Sequence, residues 1–261
     1  MAPFLFEIFG FKVYTYGVIM VIAFVICVIL TLKYVPRNLL SNQDIYNFCL
    51  IIMASLLFGT KLVALFVHVN FSPEALLDVL KFWQKGNFEF YPAFLFAVIL
   101  IFTYCKLKKI PLLKAMDYLL PIAILGVAIQ RSFGCFLAGC CYGKPTRLPW
   151  GMVFSEISSA GMHFPGIHLH PTQLYYGITS FVIFIISMIH KKRAQVEMVG
   201  ENTALGFMML SFTYFFITFL RGDITGDQLL YHLSRSQYLA LGLFAVGFFI
   251  YTRTRFQKKN K

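Results

Sequence analysis

Residues 13–32 read VYTYGVIMVIAFVICVILTL, a stretch of twenty residues without a charged side chain. Folded as a helix, a stretch of this length and composition crosses the roughly 30 Å hydrocarbon core of a bilayer. Similar apolar stretches recur along the chain, separated by charged and turn residues. They predict seven spanning helices, near 13–34, 47–69, 89–108, 114–136, 171–190, 203–221 and 236–252. We therefore expect an all-α polytopic membrane protein, built as a single transmembrane domain over residues 1–261.

The composition of the whole chain agrees with a membrane location. Hydrophobic residues make up 59% of the 261 residues, charged residues make up only 13%, and the mean hydropathy is +0.72. A soluble domain carries about 25% charged residues. The net charge of +12 is therefore no argument for nucleic-acid binding, and the positions of the basic residues matter more than their number.

The basic residues predict the orientation of the chain. Of the 23 Lys and Arg residues, fourteen follow the first, third and fifth spans or lie in the tail 253–261. Seven fall on the opposite side, and Lys61 and Arg131 fall within spans. The positive-inside rule then predicts a cytoplasmic C-terminus with a basic tail and an outer N-terminus. Segment 141–170, between the fourth and fifth helices, is too polar and too broken by Gly and Pro for a helix, which predicts a small extracytoplasmic head.

Two cationic side chains lie where the bilayer disfavours charge, since a charge at its centre costs about 2.5–3.5 kcal/mol. Arg131 follows a long apolar stretch and is predicted to face the bundle and bind an anion. For Lys61, snorkelling or simple pairing and contact with a ligand are equal alternatives. Arg221 closes the sixth predicted span and alone would be read as an interfacial anchor. Together these cations would suit the phosphate of a lipid headgroup.

On the predicted outer side, His170 and a group of three cysteines each allow more than one interpretation. His170 precedes Pro171 at the predicted start of the fifth span, so it is either a neighbour of the helix cap or a base. Cys135, Cys140 and Cys141 cluster in the sequence, but Cys140 and Cys141 are adjacent and lack the CxxC spacing of zinc ligands. We therefore predict no metal and no cofactor.

Several short motifs follow one another along the chain: Tyr16-Gly17-Val18-Ile19-Met20, Gly59-Thr60-Lys61, Trp83 to Tyr91, Arg131 to Gly143, His170-Pro171-Thr172-Gln173-Leu174-Tyr175 and Phe219-Leu220-Arg221-Gly222-Asp223. Their order resembles the prolipoprotein diacylglyceryl transferase family, enzymes of the bacterial inner membrane. The string GCFLAGCCYGKPT at 134–146 looks like a variant branch of that family.

The resemblance implies a multi-pass enzyme of lipoprotein biosynthesis. Such an enzyme transfers diacylglycerol from phosphatidylglycerol to a cysteine thiol of a lipoprotein precursor and releases glycerol 1-phosphate. Its expected partners are an anionic phospholipid and the precursor, with no nucleic acid. The implied catalytic residues are Arg131 and Arg221, which would hold phosphate, and His170 or Tyr91, which would move protons. The implied substrate-binding residues are Tyr16, Lys61, Gln173, Tyr175 and Tyr214.

The chain also departs from the family pattern. The family's His-Gly-Gly is Tyr91-Pro92-Ala93 here, and its Arg-x-Gly-Asn is shifted in register after Arg131, without the Asn. Three family positions for charged residues hold Tyr176, Tyr214 and Thr218. These changes keep an alternative open: a catalytically diverged homologue that binds a lipid or a partner membrane protein, or one that transfers to a different acceptor.

Overall fold

The computed structural model describes residues 3–8, 11–68, 90–193, 198–224 and 233–259. A long helix covers the centre of each of the seven predicted spans. In chain order, the helices are α1 (Thr15–Tyr34), α2 (Asn42–His68), α3 (Phe90–Leu107), α4 (Leu112–Ile129), the short α5 (Phe136–Ala138) and α6 (Ser159–His163), α7 (Thr172–Arg193), α8 (Glu201–Thr218) and α9 (Arg235–Lys259). A π-helical turn, Gln130–Cys135, joins α4 to α5.

The protein is a polytopic membrane protein. Among the described residues, four helical stretches are long and apolar enough to cross a bilayer: Thr15–Tyr34, Leu112–Ala138, Thr172–Arg193 and Arg235–Phe256. Large apolar side chains such as Val21, Ile29 and Phe248 are exposed on these helices. Such exposure is expected where lipid is the solvent.

The N-terminus differs from the all-α prediction. Strands β1 (Phe4–Ile8) and β2 (Phe11–Tyr14) pair as an antiparallel hairpin, and β2 continues directly into α1. Six of the nine strand residues are aromatic or β-branched, and these favour extended backbone. The first helix consequently begins at Thr15, two residues after the predicted start at 13.

The chain divides into two compact units, of which the smaller comprises Tyr34–Ala115. Its α2 begins at Asn42, five residues before the predicted 47, because Ser41 and Asp44 cap the helix start reciprocally. The Asp44 backbone N–H donates to Ser41 Oγ at 3.2 Å, and the Ser41 N–H donates to Asp44 Oδ2 at 3.0 Å. Asp44 Oδ1 also accepts a hydrogen bond from Tyr104 of α3 at 2.7 Å, which ties the two helices together.

The larger unit comprises Met1–Lys33 and Met116–Lys261. In it, the buried Asp117 of α4 caps the start of α8: its carboxylate accepts hydrogen bonds from Gly200 N at 2.6 Å and from Thr203 N and Oγ1 at 2.8 and 2.7 Å. Glu201 pairs with Arg255 of α9 at 3.0 Å and faces His190 of α7 at 3.7 Å. The ends of α7 and α9 therefore lie together with the beginnings of α4 and α8.

At the opposite end of this unit, segment 141–170 folds around a small core of its own. Tyr142, Phe154, Ala160 and Leu169 are buried together, and Leu169 pairs through its backbone with Met152. The expectation that no part of the segment is helical is wrong for α6. This short helix forms because the Ser158 side chain accepts a hydrogen bond from the Gly161 N–H at 3.2 Å, and Ser is a favoured N-cap residue.

Candidate active site

A π-helical turn places Arg131 at the end of α4. In this turn each backbone bond reaches one residue further than in an α-helix, so the helix widens. Helix α7 approaches closely here, because a Cβ atom at Gly177 would collide with the Ser132 side chain. The turn thereby brings Arg131 against the first turns of α7.

Arg131 contacts sulfur and an aromatic ring. Its Nη1 atom donates to Cys141 Sγ at 3.0 Å and approaches Cys135 Sγ at 3.9 Å. The guanidinium lies 5.1 Å from the centroid of the Tyr176 ring, within the range of a cation–π interaction. Among the described residues, no carboxylate lies within ion-pair distance of Arg131. A half-buried cation without a counter-ion is suited to an anionic ligand.

The thiols of Cys135, Cys140 and Cys141 form the thiol cluster, in which the three sulfur atoms lie within 4.8 Å of one another. Two left-handed residues, Gly139 at φ 67° and Cys141 at φ 56°, bend the chain there. The first turn of α7 holds this bend: Gln173 Nε2 donates to the Cys140 carbonyl at 2.7 Å, and Thr172 Oγ1 donates to the Cys141 carbonyl at 2.6 Å. A left-handed non-glycine residue costs about 1–2 kcal/mol, so these bonds offset local strain.

The segment after the cluster brings Arg221 to the same place. Lys144 N donates to the Leu220 carbonyl at 2.8 Å, and Gly222 N donates to the Tyr142 carbonyl at 2.9 Å. Helix α8 ends at Thr218, three residues before the predicted end of the span, so Arg221 lies in this extended pairing and not in a helix. Its guanidinium forms a two-point ion pair with Asp223, with distances of 2.9 and 2.8 Å.

Cys141 lies within electrostatic range of both Arg131 and Arg221. Hydrogen bonds from the Cys135 and Cys140 thiols, together with the two arginines, hold the pKa of the Cys141 thiol below its ordinary value. The pKa of Cys140 is raised, because its thiol hydrogen-bonds its two neighbours and is buried. Cys141 is therefore the first of the three to ionise, and its negative charge would face two guanidinium groups.

Next to Arg131, the side chains of Tyr176, Tyr214 and Thr218 form one neutral cluster. The Tyr176 hydroxyl is 2.8 Å from Thr218 Oγ1, and the rings of Tyr176 and Tyr214 are 4.4 Å apart. Tyr176 is 1% exposed, and Thr218 Oγ1 also donates to the Tyr214 carbonyl at 2.6 Å. Tyr176, Tyr214 and Thr218 therefore form one uncharged group beside Arg131.

The structure brings only some of the predicted site residues together. Arg131, Arg221 and Tyr214 converge, and Tyr16 lies within electrostatic range of Arg131 and the thiol cluster with its side chain 41% exposed. Gln173 is fully buried, and its side chain holds the backbone carbonyl of Cys140.

Of the remaining predicted residues, His170 and Tyr175 lie at the start of α7, where the His170 backbone pairs with Gly143 and Lys144; the other two lie outside the described part. His170 Nδ1 is 3.2 Å from the Tyr175 hydroxyl, which also accepts a hydrogen bond from Trp150 Nε1 at 2.7 Å. This trio lies at the start of α7, and its hydrogen bonds do not reach either arginine. The side chains of Lys61 and Tyr91 lie outside the described residues.

Three contacts at this site were not predicted from the sequence: the approach of the three thiols, the Tyr176–Thr218 hydrogen bond and the Arg221–Asp223 ion pair. Asp223 had a signal, because an acid two residues after an arginine can pair with it. Tyr176 and Thr218 were visible as departures from the family pattern, but their contact joins two helices. Cys140 and Cys141 are adjacent and lack the CxxC spacing, but with the left-handed bend their sulfur atoms lie within 4.8 Å of each other and of Cys135 Sγ.

Comparison with known proteins places these features in a family context. The model of a family described as prolipoprotein diacylglyceryl transferase matches residues 3–253. A phosphatidylglycerol–prolipoprotein diacylglyceryl transferase of Clostridium tetani is 34% identical over 99% of this chain and 100% of its own length. The second such transferase of Clostridium perfringens is 28% identical, with 98% and 96% covered, and that of Thermotoga maritima is 26% identical, with 95% and 83% covered.

Proposed function

Because the chain belongs to the prolipoprotein diacylglyceryl transferase family, we propose that it transfers diacylglycerol from phosphatidylglycerol to a cysteine thiol of a lipoprotein precursor. The transfer takes place at the outer leaflet of a bacterial inner membrane. One observation carries the proposal: Arg131 and Arg221, from separate elements, converge on one point with Asp223 as the only described carboxylate paired to either.

The arginine pair fits the charge that the transfer creates. A carbon–sulfur bond forms between the precursor thiol and the terminal glycerol carbon of diacylglycerol, and the bond from that carbon to the phosphate oxygen breaks. The phosphate changes from a singly charged diester to a monoester of higher negative charge as glycerol phosphate leaves. Fixed guanidinium groups stabilise this growing charge, and removing one such donor costs about 100-fold or more in rate.

The thiol proton needs an acceptor. An ordinary cysteine thiol has a pKa of about 8.5, so most of it is protonated near neutral pH. We assign His170 as the acceptor at the head of α7, oriented by its 3.2 Å contact with Tyr175, with Tyr91 as the other candidate. Tyr16, Lys61, Tyr175 and Tyr214 are proposed to line the lipid site.

We also propose seven spans with an outer N-terminus, a cytoplasmic C-terminus, the tail 253–261 on the inside and the head 141–170 on the outside. The contacts of Glu201 support this, because they place the ends of α7 and α9 on one side. Lys191, Lys192 and Arg193 lie at that end. The arginine pair lies at the opposite end of the same helices.

The test uses the purified protein in vesicles of phosphatidylglycerol and phosphatidylcholine, with a synthetic lipobox peptide that carries one cysteine. Mass spectrometry should show one diacylglyceryl group added to the peptide, with an equal amount of glycerol phosphate released. A matched peptide with serine in place of cysteine, and vesicles of phosphatidylcholine alone, should give neither product.

The variants Arg131→Ala and Arg221→Ala should each lower the rate by about 100-fold or more. Arg147→Ala is the control, because Arg147 is exposed in the head, and it should keep the wild-type rate. Phosphatidylglycerol bound without any product would support the alternative of a diverged lipid-binding protein. Wild-type activity in Arg221→Ala would refute the assignment of the phosphate clamp.

A further inference from the structure

The thiol cluster has no part in the proposed transfer, in which the reacting sulfur belongs to the precursor. Its members nevertheless come from two separate places, the end of the π-helical turn and the left-handed bend, and their sulfur atoms lie within 4.8 Å of one another. All three are free thiols. Cys135 is 3% exposed, and the other two are half-buried.

The backbone holds these thiols together independently of any bond between the sulfur atoms. The Cys140 N–H donates to the Cys135 carbonyl at 3.2 Å. Gln173 and Thr172, which are both fully buried, fix the carbonyls of Cys140 and Cys141. The cluster is thus preorganised, which is what a metal site built on rigid elements requires.

We propose that Cys135, Cys140 and Cys141 bind one thiophilic d10 metal ion of the zinc type, and that the fourth coordination position takes the thiol of the incoming substrate. Zinc–sulfur bonds of about 2.3 Å place thiolate sulfurs about 4 Å apart, so the cluster closes on an ion with movements of about 1 Å or less. Sites with three protein ligands leave one position for water or substrate.

The charge beside the cluster and the number of its thiols both favour a bound metal ion over a disulfide. When a divalent ion binds, each of the three thiols gives its proton to solvent, and the three thiolates with the ion carry a net charge of −1. The guanidinium of Arg131, 3.0 Å from Cys141 Sγ, balances that charge. A disulfide would use two of the sulfurs and leave the third without a role.

The role of the fourth coordination position in binding the substrate thiol rests on the proposed function, whereas the metal site itself does not. A thiol that coordinates zinc loses its proton outright. The precursor cysteine would therefore reach the lipid as a thiolate, with its proton passed to His170, the acceptor assigned above, and from there to solvent. Its sulfur would then attack the glycerol carbon as the carbon–oxygen bond to phosphate breaks.

The first experiment measures metal binding without substrates. The reduced protein in detergent is stripped with a chelator, freed of it and titrated with Zn²⁺ or Cd²⁺. We expect one tightly held ion per chain and, with Cd²⁺, an ultraviolet thiolate charge-transfer band. C135S, C140S and C141S should each lose the band, and C49S, which changes a cysteine of α2, should keep it. Substoichiometric binding, or a C141S protein with the wild-type band, would overturn the site.

A second measurement needs only the wild-type chain, so it does not depend on whether a variant folds. Alkylation followed by peptide mass spectrometry should show Cys135, Cys140 and Cys141 protected by Zn²⁺ and released together by a chelator. A disulfide between two of them in protein isolated without reductant would overturn the proposal.

The fourth position is tested with the cysteine and serine lipobox peptides. The cysteine peptide should increase the Cd²⁺–thiolate band by the contribution of one further sulfur, and the serine peptide should leave it unchanged. No change with either peptide would overturn the substrate-thiol role. Metal binding without transfer would mean that the proposed function fails and the metal site stands. Transfer at the wild-type rate by metal-free protein would mean that the proposed function stands and that the metal has no role in holding the substrate thiol.

Discussion

Replacing Thr172 by valine tests whether α7 holds the site in place. Thr172 Oγ1 donates to the Cys141 carbonyl at 2.6 Å, and the side chain is fully buried. Valine has nearly the same shape and lacks the hydroxyl, so the carbonyl would lose this partner away from water. A buried polar group left without a partner costs about 1–3 kcal/mol, and every 1.4 kcal/mol is a factor of ten in the folding equilibrium.

The expected loss is measured as the free energy of unfolding in mixed micelles, with increasing denaturing detergent and circular dichroism as the signal. The rate of transfer should fall as well, by about tenfold or more, because a misplaced Cys141 also moves its contact with Arg131. The two effects separate, since the rate is measured under conditions in which the variant is folded.

Thr179→Val is the matched control in the same helix. Thr179 Oγ1 donates to the Tyr175 and Tyr176 carbonyls at 2.7 and 3.2 Å, which are positions that the helix backbone already satisfies. Its effect should stay within about 0.5 kcal/mol, with an unchanged rate. If Thr172→Val were no more destabilising than Thr179→Val, the view that α7 anchors the site loop would be refuted.

Two further substitutions probe other parts of the larger unit. Asp117→Ala removes three hydrogen bonds at the start of α8 and should lower the free energy of unfolding by about 3 kcal/mol or more. The control Glu156→Ala changes an exposed acid and should alter the free energy of unfolding by less than about 0.5 kcal/mol. Equal losses in the two variants would contradict the capping role of Asp117. Tyr176→Phe keeps the ring beside Arg131 and loses only the hydrogen bond to Thr218, so it should lower the transfer rate less than tenfold. Tyr176→Ala also removes the ring and should lower the rate further. Equal rates in the two variants would show that the ring contributes nothing to transfer.

Sequence patterns predicted the long helices well, because an apolar stretch of about 20 residues has one main solution in a bilayer. They were weaker at helix ends, which depend on individual hydrogen bonds. The Ser41–Asp44 cap moved one start by five residues, and the pairing of Gly143 with Arg221 shortened α8. The hairpin before Thr15 was missed because its strands are only five and four residues long, which is too short for a clear alternating pattern.

Arg131 was singled out by the cost of charge in a membrane. Arg221 entered the candidate site only together with the other cations and through the family resemblance, and the thiol cluster was not predicted. Its geometry depends on a positive φ at Cys141, a conformation that a non-glycine residue seldom adopts. The contact between Tyr176 and Thr218 joins positions 42 residues apart, and local patterns carry no information on such a pair. Lys61 and Tyr91 remain predictions.

The π-helical turn has a consequence for how positions in this region correspond between relatives. A turn that closes at i+5 contains one residue more than an α-turn, so everything after Cys135 is rotated by about 100° relative to an uninterrupted helix. Each side chain after the turn thus points in the direction that the preceding residue's side chain would have in a regular helix. Side chains in this region should therefore be matched with those of a regular helix by direction in space, not by counting along the chain.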